Sequence, residues 1–581
     1  MAENNYISYS IKIGSKTYTS QGPFVSILTH TEINKIPFAS ISITDGDPSK
    51  QDFELSSGDI FNPGEKISIE LGFNGNNSEV FSGIIIRHRI KSRNAEPSLL
   101  VIECKHATLK MCGGRKTTYF ENKDDKSIIE ELYSSSGVGG SLSCMGEFLS
   151  SESSIQFDVS NWDFFMLRAQ ANSKVVLFDG DNVLVSDLKL SGSPVKTYNY
   201  GQDILEYESE ADAENLYNTV EGVSWDSDKQ EVVKVSGSSS SFEQLENSGV
   251  KITDLERVLS VDNSLIHGGE ISKDELTSWG NSKAIIASLS KIKGRIKISG
   301  DSTIKVGDVI SIKGVGSKFS GNVLVSAIRH EVNQAGWATH LQFGLSSNWH
   351  TDRLDINSPP AGKLLPSVNG LQIGKVLKID GDEKFRVQVS LPVAGEEVNI
   401  WARMIFEDAG NNRGKIFWPE KDDEVIVGFL NADPRSPVIL GSLFSKVNVP
   451  PIKPEEENSQ KGIISREEIK IIIDDEDKSI NIETPSGNKI ALDDKKKSIF
   501  LEDQNQNSIK LDGSGISLIS NGDINIESSK KISIKSDMDV EIEGMNIKNT
   551  AKAKFSADGS AGSELTTSAI AIVKGSMVKI N

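Results

Sequence analysis

Three Asp-Gly-Asp segments, Asp45–Asp47, Asp179–Asp181 and Asp380–Asp382, have the composition of carboxylate loops for calcium. An EF-hand loop runs on from such a start to an invariant glycine and a distal bidentate glutamate, and none of the three does. They read as turns, where aspartate bonds nearby backbone and glycine supplies positive φ. Cys104, His106 and Cys112 lack the spacing of a zinc finger; Cys104 and His106 are expected on one face of a strand, as a plain thiol and a plain imidazole. Gly113–Lys116 (GGRK) lacks the P-loop pattern, so nucleotide binding is not expected. His330, His340 and His350 recur every ten residues in β-patterned sequence, with no serine or cysteine motif beside them. With 82 acidic residues, carboxylate pairs single out no acid–base couple. The residues therefore specify no catalytic group, no cofactor-binding residue and no metal ligand.

What remains is the scaffold. At 581 residues the chain is too long for one ordinary core, and its 37% hydrophobic and 25% charged residues suit a folded, soluble protein. The formal charge of −19 argues against nucleic-acid binding. The start, MAENNYISYSIKIG, shows no secretory signal, and no apolar run approaches the ~18 residues of a membrane span. Three cysteines (Cys104, Cys112, Cys144) without a signal point to a reducing cytoplasm.

Residues 1–357 alternate with period two in runs such as KISIELGF, VFSGIIIRHRIK and LLVIECKH, and read as β-barrel domains. Three helical patterns interrupt them. DDKSIIEELYSSSG places Ile128, Ile129 and Leu132 on one face and stops at Gly137; SNWDFFMLRAQAN is capped by Ser160 or Asn161 and buries Phe165, Met166 and Ala169. SKAIIASLSKIKG carries Ile285, Ile286, Leu289 and Ile292 and is expected to end at Gly294. A Pro/Gly linker (358–370) leads to five short strands over 371–446, the count of a small OB-type barrel. A second linker (447–461), with three prolines and three consecutive glutamates, precedes a repeat over 462–581.

In that repeat an apolar-x-apolar pair recurs every eight residues at Ile516/Leu518, Ile524/Ile526, Ile532/Ile534 and Val540/Ile542. Upstream the pairs are Ile469/Ile471, Ile480/Ile482, Ile490/Leu492, Ile499/Leu501 and Ile509/Leu511. Residues i and i+2 of a strand share a face, so each repeat offers two apolar side chains to one side. Burying one is worth roughly 1.5–3 kcal/mol, whereas ordering eight residues costs on the order of 8–16 kcal/mol of backbone entropy. A repeat holds only with neighbours, either coiled within one chain or wrapped from three. From Pro451 onward there is no Trp, Tyr or Cys and only Phe500 and Phe555, which favours a slender three-chain interior.

The run DEVIVGFLNADPRSPVILG (Asp423–Gly441), after RVQVSLP (Arg386–Pro392) and IWARMI, resembles the OB module of VgrG proteins. These are the spikes of type VI secretion systems, related to hub–needle proteins of contractile phage tails. Ala432 stands where the pattern usually has glycine. Pro63–Ile86, Ser160–Asp179 and Ser320–Leu345 are similar to the family's hub, and the octads and Gly575–Asn581 to its needle. The resemblance implies a mainly β homotrimer: a phage-hub-like β-barrel region, an OB-fold barrel and a triple-stranded β-helix needle. The eight octad residues from Ile516 to Ile542 would form the needle core. Implied partners are the inner tube protein, baseplate proteins, a PAAR-type tip cap seated on Met577, Val578, Lys579, Ile580 and Asn581, and effectors; the target membrane is met only by puncture. The spike would be non-enzymatic, assembled in the bacterial cytoplasm and ejected by sheath contraction. On this reading no effector domain of the kind some relatives carry is expected after Asn581. Alternatives are the spike of a phage-like extracellular particle, a tailspike-like polysaccharide depolymerase, which would need an acid–base cleft, and a surface adhesin, which would need an export signal. The barrel's Trp401, Phe406, Phe417 and Trp418 lie among acidic neighbours and are expected in trimer contacts rather than on nucleic acid.

Overall fold

The computed structural model describes residues 6–19, 24–94, 96–187, 193–214, 217, 219–238, 257–258, 260–353, 355–395 and 397–580. The chain divides into two units, Met1–Gly441 and Ser442–Asn581. The first is organised by a thirteen-stranded sheet. Phe24–Glu32 pairs with Lys35–Thr44 on one side and with Gly321–Asn333 on the other, so this strand joins the sheet's two halves. One half wraps a core of Ile11, Ile41, Ile69, Leu71 and Ile102; the other wraps Ile296, Ile310, Val325 and Leu341. Strict alternation places these side chains inward, as in KISIELGF, where Ile67, Ile69 and Leu71 are all buried.

A third core lies around two helices. Asp125–Ser135 starts on Asp124, whose carboxylate accepts from Ser127 N, and buries Ile128, Ile129 and Leu132. Asn161–Ala171 starts on Ser160 and buries Phe165, Met166 and Ala169. Both follow the sequence pattern. Arg168 forks onto the buried Asp125 at 2.6 and 2.7 Å, locking one helix to the other.

The third helix corrects the sequence reading. It runs Lys273–Ser290, capped by Ser272, and Ile292 and Gly294 belong to the next strand, Ile292–Ser299. That strand pairs on both sides, which outweighs one more helical turn. Gly294 is there for close packing rather than as a stop, since a Cβ would sit 2.3 Å from Glu208 O.

Cys104 and His106 also differ from expectation. Cys104 is buried in the first core, and burial raises its thiol pKa. His106 lies beyond the strand's end, caps a short 3-10 turn and packs edge-on against Phe178. The strand ends between them at Lys105, and the two side chains serve different cores, Cys104 the first and His106 against Phe178 of the third.

Candidate functional site: the small barrel and the repeat face

Five strands close the barrel: Gln372–Lys378, Arg386–Ser390, Asn399–Met404, Glu424–Phe429 and Pro437–Ser442. Val376, Val387, Val389, Ala402, Val425, Val427 and Ile439 fill it completely buried, one small residue from every second position. The turns carry the polar residues. Asp382 accepts both arms of Arg386 at 2.9 Å, and this pair draws its carboxyl down to about 2. Asp433 likewise holds Arg435, whose guanidinium and backbone N–H draw it to about 2. Asn431 and Ala432 have φ of 51° and 54°, a left-handed corner that suits glycine and here carries an alanine methyl. Trp418 meets Phe406 edge-on at 4.9 Å, while Ile416 and Phe417 stand exposed.

Beyond the barrel, seven strands from Gln460–Ile464 to Gly515–Ile519 form one antiparallel meander. The register puts Ile463, Ile471, Ile482, Ile490, Leu501, Ile509 and Leu518 in one row. Ile473, Ile480, Leu492, Ile499, Leu511 and Ile516 form a second. Both rows lie on the same face, because i and i+2 do. In the strand Lys470–Asp474 the pair is therefore Ile471/Ile473; Ile469 falls before it. The opposite face is mixed: Lys470, Glu483, Lys489 and Glu502 face one another in alternating charge, beside a row of Ile472, Asn481, Ala491, Phe500 and Lys510. The apolar face stays open: twelve of these thirteen residues retain 36% to 78% exposure, and Leu511 is half-buried. A groove of about 640 Å³ runs over Ile482, Ile490, Leu501, Ile509 and Leu518.

After Ile519 the described residues form no strand within the chain, yet the path is regular. It bends at Asn521–Gly522, Ser529–Lys530, Asp537–Met538, Met545, Lys552–Ala553, Ser560–Ala561, Ser568–Ala569 and Ser576–Met577. Of the octad residues, Ile516 and Leu518 lie in the last strand, and Ile524, Ile526, Ile532, Ile534, Val540 and Ile542 lie exposed on the extended legs between bends. Met577, Val578 and Ile580 are exposed as well; Asn581 is outside the described residues.

The remaining residues singled out by type are dispersed. Asp45 accepts from Gly46, Leu55 and Ser56 N–H groups, and Asp179 pairs with Lys305 at 2.8 Å, both at turns. His330 is buried beside Thr339, His340 lies near Glu331, and His350 bonds Asp163 at 3.0 Å. One group escaped the sequence reading. Arg115, in GGRK, donates to the carbonyls of Asp355 and Ile356 at 3.0 and 2.6 Å, fastening the hub's exit segment. A glycine pair before a basic residue carries no signal for such a clamp.

Residues 372–444 match the Type VI secretion system/phage-baseplate injector OB domain. Over 96 residues the chain is 34% identical to the type VI secretion system spike protein VgrG3 of Vibrio cholerae serotype O1, covering 15% of this chain and 9% of that protein. It is 35% identical over 96 residues to the actin cross-linking toxin VgrG1 of another Vibrio cholerae strain, with the same coverage. The chain thus spans about a tenth of these relatives' length. Among solved structures, a tail protein from Neisseria meningitidis aligns with 98% of its chain and 60% of this one, at 12% identity and a TM-score of 0.45. A β region, a closed five-stranded barrel and a β repeat follow one another in that order, and the barrel is similar to the OB domain of type VI secretion and phage-baseplate injectors. Residues 3–334 match the Alg8 N-terminal domain, and by that match, over more than half its length, the chain belongs to this family.

Proposed function

We propose that the protein is the structural, non-enzymatic, homotrimeric spike of a contractile injection machine. The hub sits on the inner tube and baseplate, the barrel joins it to the needle, and sheath contraction ejects the assembly from the cytoplasm in which it is built. The observation that carries this reading is the uncovered two-row apolar face that follows the injector barrel. Covering the exposed part of twelve such side chains is worth on the order of 10 kcal/mol per chain. Three copies, each turning one such face inward, would close a triangular core. Past Ile519 the eight-residue rhythm of bends supports a change of mode, in which each chain's extended legs pair with the other two chains and form a triple-stranded β-helix. Ile524, Ile526, Ile532, Ile534, Val540 and Ile542 then become its core.

The exposed Met577, Val578 and Ile580 support a docking platform, Met577–Asn581, for a PAAR-type cap, with effectors riding on spike or cap. Sedimentation equilibrium should give three times 63.2 kDa. A stable monomer with a folded C-terminal half would sink the three-chain needle. For the platform, replacing Val578 and Ile580 by aspartate should leave the trimer and abolish capture of a cap protein.

A further inference from the structure

A cleft of about 790 Å³ opens in the hub between the turn at Ile33–Asn34, the helix Asn161–Ala171 and the segment Leu345–Asp355. Its size is that of sites that hold ligands. Its charge runs against the rest of the molecule. Lys35, Lys105, Arg115, Lys174 and Arg353 line it against Glu32, Asp163 and Asp355, in a chain with a formal charge of −19. Four of these cations are held: Lys35 by Glu32, Arg115 by Asp158, Lys174 by Asp187 and Arg353 by Asp163 and Asp355. Lys105 has no carboxylate partner among the described residues, although it is half-buried. Ile285, Ile286, Leu345 and Trp162 give the cleft an apolar floor.

We propose that this cleft docks an acidic polypeptide segment with apolar anchors, presented by a protein partner. Lys105 is partly buried and has no carboxylate beside it among the described residues, and an incoming carboxylate would supply that partner in a charge-assisted hydrogen bond. An apolar ligand would bury Lys105 unpaired, and a basic segment would add like charge to it. Alternation of carboxylates with leucine-like side chains satisfies rim and floor together. The inference stands on the hub cleft alone and holds whichever machine the spike serves.

The test uses fluorescence anisotropy of a labelled hexapeptide of alternating glutamate and leucine with the full-length protein. Saturable binding is expected, weakened roughly tenfold or more in Lys105→Glu, unchanged in Lys16→Glu on a distant edge strand, and weakened by salt. The lysine–leucine counterpart should not bind. Absence of saturable binding, equal affinity for Lys105→Glu and Lys16→Glu, or equal binding of the basic peptide overturns the proposal. Binding only in a variant that no longer trimerises assigns the cleft to a second copy, and overturns it too. Thermal unfolding of both variants alongside wild type separates loss of the site from loss of the fold.

Discussion

Ile482 and Ile490 stand directly opposite each other on neighbouring strands, and 36% and 41% of their surface remains exposed. A directly opposed apolar pair is the unit that stabilises a sheet face, and it gains most when a second layer covers it. If that layer is two further copies, Ile482→Asp brings three carboxylates together in a closed interior. Desolvation and mutual repulsion then cost about 3–5 kcal/mol or more per site. Ser517→Asp, on the opposite face and paired with Lys510, should be silent. Sedimentation and thermal melting of the two variants check this; equal effects would show that the sheet covers its other face.

The barrel strands and the apolar pairs of the repeat were legible in the sequence because both rest on alternation, whereas the antiparallel pairing of residues 460–519 within one chain was not, since the spacing of pairs does not fix strand direction. Val387/Val389, Val425/Val427 and Ile480/Ile482 obey period two, and the structure keeps that face assignment. The first helix was legible through its apolar face, Ile128, Ile129 and Leu132, and the second through its cap Ser160. Reading failed where tertiary pairing competed with local pattern. Ile292 continues a helical period yet is taken by a strand paired on both sides. Ile469 mimics the apolar pair, but a tight turn bonds its N–H to Ser465 and starts the strand one residue later. The Arg115 clamp and the Lys105 cleft join residues about 240 positions apart in sequence, which no local spacing encodes.

Ala432 should be the barrel's cheapest stabilising site. Its φ of 54° places an alanine in the left-handed region, where an L side chain crowds its own backbone. Ala432→Gly removes that strain at the cost of extra freedom in the unfolded chain, for a net gain of roughly 0.5–1 kcal/mol. A rise in the urea midpoint of the barrel transition is expected. A fall would mean that the methyl makes a contact worth more than the strain.

Two buried histidines make the hub sensitive to mild acid. Burial lowers both His106 and His330 from 6.5 to about 4. The unfolded chain therefore takes up these protons first, so stability is full above 6.5, falls as pH drops toward about 4, and levels off below. Each contributes about 3 kcal/mol over that window, to order of magnitude. Urea unfolding at neutral pH and at about pH 5 should show the loss, and His330→Asn should reduce its slope. An unchanged slope would mean that water or a relaxed core admits the proton in the native state.

Arg115 holds the segment that leaves the hub. Its guanidinium reaches two carbonyls, Asp355 and Ile356, and also pairs with Asp158 at 3.3 Å, while Ile356 is buried in the third core and Ser358 bonds Asp158 at 2.6 Å. Charge-assisted bonds of this kind contribute about 1.5–3 kcal/mol each, and the planar fork that makes two at once is beyond a lysine. Arg115→Ala should leave both carbonyls without their donor and let Ile356 lift from its core. The expected outcome is faster limited proteolysis within residues 353–371, with Arg115→Lys intermediate and Arg435→Ala, on the barrel surface, at the wild-type rate. The order of the three variants is the critical reading, since general destabilisation would speed cleavage everywhere. If Arg115→Ala is cut no faster in this segment than wild type, burial of Ile356 alone anchors the exit and the clamp is dispensable.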